Sequence, residues 1–145
     1  MTADFGFGSE VVKESFVIGG EAALGLGDNA TLTELLAEVE ALPPGLSTRF
    51  LRAHTLRFRA RLAGGDDLAD AERGFTEAAA LFREIGMPFY LAVVQLEHAE
   101  LLAASGRAEE CEPLQAEARE TFEQLRATPW LERVDALRVG AVTPA

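Results

Sequence analysis

The sequence predicts an all-α protein of antiparallel helical hairpins, about three helix pairs stacked as an array and closed by a C-terminal capping helix. Three observations carry this. A helical phrase recurs about 40 residues on: Leu62-Ala63, Gly64-Gly65, then Ala71, Phe75, Ala78 and Phe82 are followed by Leu102-Ala103, Ser105-Gly106, then Cys111, Gln115, Ala118 and Phe122. Alanine, leucine, glutamate and arginine dominate, and no run of β-branched residues reads as a strand. Glycine and proline punctuate the chain at short connections, which make sequential helices antiparallel neighbours.

Each element follows from its own signals. Residues 1–8 contain glycine and phenylalanine and are expected to be flexible. Ser9 is an N-cap for a first helix to about Leu26, with Val12, Phe16 and Ala23 at helical spacing. Gly19-Gly20 within it permits close approach of a neighbour. Thr31 and Glu34 read as a capping box for a second helix presenting Leu32, Leu35, Leu36, Val39 and Leu42, stopped by Pro43-Pro44-Gly45. A third helix runs from about Leu46 or Ser47 to Ala63, and a fourth from about Asp67 to Ile85, with acids in its first turn. Gly86 and Pro88 end the fourth, and a fifth runs from Pro88 to Ala104. The sixth spans about Ala108 to Arg126. A short seventh opens at Thr128-Pro129 with Trp130, Val134 and Leu137, and residues 140–145 are expected to form a flexible tail. Residues 9–139 thus form one helical-repeat domain.

Composition bounds the function. At 145 residues and 48% hydrophobic, the chain can bury a core without disulfides or metal. One cysteine, Cys111, and no signal peptide or membrane-length apolar run predict a cytoplasmic protein. A net charge of −11 argues against nucleic acid or an anionic membrane as partner.

The one basic island lies between Glu40 and Asp66, where Arg49, Arg52, Arg57, Arg59 and Arg61 occur without an acid. At about 100° per residue, Leu51, Phe58 and Leu62 share one face of the third helix, and Ala53, Leu56, Ala60 and Ala63 a roughly opposite one. Two apolar faces predict a helix sandwiched between neighbours. Arg52 and Arg59 fill one strip between them; Arg57 and Arg61, with Phe50 and His54, fill the other. Either the arginines form solvated flanks paired with nearby acids, or one strip lines a concave groove for an acidic or carboxylate-ended peptide. In the second case the candidate groove residues are Arg52, His54, Arg57, Arg59, Arg61, Phe89, Tyr90 and His98.

Other candidate chemistry reduces to structure. Gly25-Leu26-Gly27-Asp28-Asn29-Ala30 lacks the preceding strand a dinucleotide fingerprint needs. Asp66, Asp67 and Asp70 have the wrong spacing for a calcium loop. His54 and His98 each lack a second histidine at metal spacing. Cys111 sits where the repeat wants a small apolar residue, and Trp130 reads as a capping-helix residue packed on the last pair. No catalytic, cofactor or metal residue is assigned.

Ala71, Phe75 and Ala78 match the small-large-small signature of a tetratricopeptide repeat, and Cys111 and Ala118 match the small positions of a next one, with Gln115 in the large position. The chain therefore resembles a divergent tetratricopeptide-like domain, which implies a right-handed solenoid. The phrases at 69–75, 81–88 and 96–102, and Ala127-Thr128-Pro129-Trp130-Leu131-Glu132-Arg133, are similar to the C-terminal helical-repeat regions of bacterial adenylate/guanylate cyclase-ATPases and LuxR-type ATPase regulators. The resemblance implies a non-catalytic interaction or regulatory scaffold, either a C-terminal module or a stand-alone relative, whose partner is a protein, a peptide or the upstream domains of a parent protein. The alternative is a module that senses a small-molecule effector on behalf of a linked ATPase or cyclase.

Overall fold

The computed structural model describes residues 10–43, 45 and 48–142. The segment 1–8, the Ser9 cap and residues 143–145 lie outside this range; the third helix, expected from about Leu46 or Ser47, begins only at Arg49, because Thr48 has extended backbone and caps it. The order is α1 (Glu10–Leu26), α2 (Asn29–Glu40), α3 (Arg49–Ala63), a 3-10 turn (Gly64–Asp67), α4 (Leu68–Glu84), α5 (Pro88–Ala104), α6 (Ala108–Leu125) and α7 (Thr128–Val142). Among the described residues there is no strand, and no helix is long and apolar enough to cross a membrane.

Local chemistry sets most boundaries. Asp67 caps α4 by accepting from Asp70 N–H at 3.2 Å, and Thr48 caps α3 by accepting from Leu51 N–H at 3.2 Å. Pro88 opens α5, where its missing N–H costs nothing. Two further expectations are corrected. The cap of α2 is Asp28, not Thr31: the Asp28 carboxylate accepts from Thr31 N–H at 3.1 Å and Thr31 Oγ1 at 2.6 Å, so Asn29 and Ala30 join the helix. The seventh helix is not short, but continues past Gly140 to Val142.

Each helix packs on its chain neighbours, most extensively α3 on α4 and α5 on α6. The odd-numbered helices also meet: α1 touches α3, and α5 touches α7. The α1–α3 approach depends on Gly20, where a Cβ would lie 2.5 Å from the Phe58 ring. Phe16 packs edge-on against Phe58 at 5.5 Å, joined by Leu32, Leu36 and Leu51.

Beyond this first hairpin, α4 buries Ala71, Phe75, Ala78 and Phe82, and α6 buries Cys111, Gln115, Ala118 and Phe122 at the matching register. The helix ends match too. Gly86 and Arg126 both adopt left-handed backbone (φ 72° and 56°). The amide N–H groups of Met87 and Ala127 each return to a phenylalanine carbonyl, Phe82 and Phe122 respectively, at 2.9 Å. Fully burying each such phenylalanine contributes about 1.5–3 kcal/mol.

Trp130 stacks on Phe122 at 5.6 Å and meets Phe89 edge-on, which docks α7 on the last hairpin. Gln115, in the position of Phe75, donates from Nε2 to the Val134 carbonyl at 3.1 Å. A polar residue serves there because its neighbour is the backbone of α7.

Candidate partner-binding face and its buried ion network

The two arginine strips of α3 have different fates. Arg52 and Arg59 look outward, toward α2. Arg59 donates to Glu40 through Nε (2.5 Å) and NH2, and is half-exposed. Arg52 is exposed, forms no ion pair among the described residues, and lines a cleft with Val39, Glu40, Thr55 and Leu56. At the start of the helix, Arg49 pairs with Glu84 at 2.8 Å.

The other strip points to the side shared by the odd-numbered helices, and there a buried ion network forms. The Arg57 side chain is completely buried. It donates from Nε to Glu97 Oε1 at 2.6 Å, from NH2 to Glu97 Oε2 at 2.8 Å, and also to Glu21 of α1. Arg61 adds a bond to Glu97 Oε2 at 2.7 Å. Glu100, one turn along α5, is held bidentately by Arg133 of α7 at 2.7 Å on both oxygens. Four helices therefore contribute three arginines and three glutamates to one face.

Burial sets the electrostatics of this group. Desolvation alone pulls the Arg57 pKa down, but the charges and hydrogen bonds of Glu97 and Glu21 outweigh it, so the guanidinium is held more firmly protonated than usual. Burial also pushes the Glu97 carboxyl up. Arg57, then the Arg61 and Arg133 charges, overcome that push, and Glu97 lies below the ordinary carboxylate range. A bidentate arginine fork satisfies both carboxylate oxygens, which such burial requires.

His54 adjoins the network. Its Nδ1 lies 3.3 Å from Arg57 NH1, and arginine only donates, so Nδ1 accepts and Nε2 carries the proton. Nε2 has no hydrogen-bond acceptor. The ring sits among Phe50, Phe58, Phe82 and Tyr90 at 4.5–5.8 Å between centroids, three of the four in edge-on geometry. Such rings offer π faces to an N–H. Burial, then the Arg57 charge, lowers the His54 pKa to about 3, so the imidazole is neutral at physiological pH.

This places each residue expected in a groove. Arg57 and His54 have no exposed surface and cannot touch a partner directly. That is a correction: carboxylates brought from α1 and α5 by the fold cover the arginine. Arg61 remains partly exposed, and Arg52 and Arg59 lie on the opposite strip. Phe89 and Tyr90 are partly buried against Trp130 and His54. His98 stacks on Phe75 and meets Glu72 at 3.0 Å, where Arg107 also donates to Glu72 at 2.8 Å.

Glu21, Glu97, Glu100 and Arg133 are absent from the sequence-based site. One signal pointed to Glu97: it is a charge in the middle of a helix, flanked by Val93, Val94, Leu96 and Ala99, where most positions are apolar. Cys111 is 1% exposed, and burial with nearby Glu112 and Glu100 pushes its thiol pKa up, away from reactivity. Among the described residues, no group of three histidine, cysteine or acidic side chains could hold a metal ion. No protein-family model matches the chain, and no curated protein or solved structure matches it either.

Proposed function

We propose that the chain is a tetratricopeptide-like helical solenoid that acts as a non-catalytic interaction or regulatory scaffold, holding a protein or peptide partner against the face made by α1, α3, α5 and α7. The observation that carries this reading is the matched register of α4 with α6, in burial pattern and in terminating turn. Stacked hairpins present a continuous face made of one helix from each pair, and that face is the usual place for a partner. Here its centre is fixed by the Arg57–Glu97 network, so the partly exposed rim groups Glu21, Arg61, Glu100 and Arg133 are preorganised rather than free to reorient.

Each of these arginines already has a carboxylate. The face therefore suits a partner of mixed charge better than a purely acidic one. A role as regulatory module for a signalling ATPase, cyclase or transcription regulator in bacteria rests on the resemblance of the sequence phrases.

A photo-crosslinking residue tests the reading. Placed at Ile18, exposed on α1 one turn from Glu21, it should form one defined protein adduct in cells of origin. The same residue at Thr76, on the exposed side of α4, should not. Equal labelling from both positions, or none from either, would remove the odd-helix face as the binding surface.

A further inference from the structure

The two ends of the helical stack differ. At one end α7 shows a polar outer face, with Glu132 and Asp135 exposed. End elements of a helical array ordinarily carry such a face. At the other end α1 carries none. Ile18 is 66% exposed and Leu26 82%, and Ala22, midway between them, is exposed together with Gly25. Ile18, Ala22 and Leu26 are four residues apart, so they form one ridge, on the side of α1 turned away from buried Phe16 and Gly20. A contiguous exposed apolar row marks an interaction surface, whereas single exposed apolar residues do not.

Charge limits what can cover this ridge. From Ser15 to Leu26 the only charged residue is Glu21, and its carboxylate is bonded to Arg57. The ridge therefore offers nothing to an ion-pairing partner. The chain as a whole carries −11, so two copies repel each other over most of their surfaces. At this ridge the repulsion is least, because neither copy brings an unpaired charge to it.

The order of side-chain sizes is symmetric about Ala22. Ile18-Gly19 on one side is mirrored by Gly25-Leu26 on the other. A two-fold axis brings the same patch of each copy into contact, so the patch must be its own complement. With the axis at Ala22 and the two helices antiparallel, each Ile18 meets the other copy's Leu26. The small residues between them let the helix axes approach to about 8 Å. A foreign partner imposes no such symmetry.

We propose that α1 docks on α1 of a second copy of this chain, forming an antiparallel two-fold dimer through Ile18, Ala22 and Leu26. The ridge is about 18 Å long and about 10 Å wide, a footprint well below the roughly 800 Å² per partner of a stable interface. The groove beside it, where Leu35, Val39 and Leu42 are partly exposed, adds to the apolar surface. The dimer is therefore weak and reversible. The contact does not involve α3 or α5, so it does not rest on the scaffold reading.

Sedimentation velocity on the full chain tests this. The parent should pass from monomer to dimer between about 10 µM and about 1 mM, the range of a small transient interface. Ile18→Glu and Leu26→Glu should each weaken the association about tenfold or more, since each buries a charge without a partner. Leu125→Glu, which adds the same charge at an exposed leucine of α6, should not. Added salt should strengthen the dimer by screening the repulsion of two acidic chains, where an ion-paired contact would weaken. Ala22→Cys, on the axis, should form an intermolecular disulfide under mild oxidation, and Ser15→Cys, off the axis, should not; Cys111 is buried and does not compete. A chain that stays monomeric to about 1 mM, a dimer indifferent to both glutamates, or crosslinking from Ser15→Cys as readily as from Ala22→Cys overturns the proposal. Its failure leaves the scaffold reading standing, because the Ile18 crosslink in cells identifies a second copy by its mass of 15.6 kDa and any other partner by a different one.

Discussion

Arg57 and Glu97, on α3 and α5, have side chains with no solvent exposure and share two hydrogen bonds of 2.6 and 2.8 Å. They do not cancel in isolation, because Glu21 and Arg61 extend the pair at either end. Taking one partner away from a buried pair costs about 3–5 kcal/mol, while replacing both with apolar groups is often near neutral. Arg57→Met or Glu97→Leu alone should therefore each lower the stability read from urea unfolding by about that amount. The double variant should lose less than either single variant. Additivity within about 0.5 kcal/mol would mean the two are not coupled.

The buried imidazole of His54 predicts a pH dependence. Its folded pKa of about 3 lies below the ordinary value of 6.5, so on acidification the unfolded chain takes up a proton that the folded chain refuses. Stability is unaffected by this group above pH 6.5 and falls as pH drops toward 3. The limiting slope is about 1.4 kcal/mol per pH unit. The depressed carboxyl of Glu97 acts only below its ordinary 4.5, so the interval between 4.5 and 6.5 isolates the histidine. His54→Phe should flatten the stability profile there; an unchanged slope would exclude His54 as its source.

Gly20 is fixed by its neighbour. A Cβ at this position would lie 2.5 Å from two Phe58 ring atoms. Gly20→Ala gains about 1 kcal/mol of helix propensity, but overpacking of a filled core costs about 1–3 kcal/mol. Thermal unfolding should show a net loss, and Phe58→Leu in the Gly20→Ala background should cost less than it does alone. A variant more stable than the parent would show that α1 and α3 can separate freely.

Gln115 reports on the docking of α7. Its bond to the Val134 carbonyl is worth about 0.5–1.5 kcal/mol. Gln115→Leu should lower amide protection within α7 and shift the emission of Trp130, with protection in α3 and α4 unchanged. A uniform loss of protection along the chain would place the effect in the global core instead.

Much of the helical framework was legible because short-range chemistry encodes it. Pro88 and Ser105-Gly106 bracket α5 to the residue, and Asp67 carries its own capping carboxylate. The cap of α2 was misassigned because Asp28 and Thr31 are both competent caps, and only the backbone conformation at Asp28 selects between them. The candidate site was half legible. Helical periodicity sorted the arginines of α3 into two strips, yet a helical wheel carries no information about which neighbour each strip meets.

The sequence alone determined the all-α class, the hairpin punctuation and the matched small-large-small pattern of α4 and α6. All three depend on interactions within a few turns of chain. Only the tertiary structure decided that Arg57 is buried rather than offered to a partner. Its carboxylates come from Glu21 and Glu97, 36 and 40 residues away, and whether a charge is covered or exposed depends on contacts that local spacing does not specify.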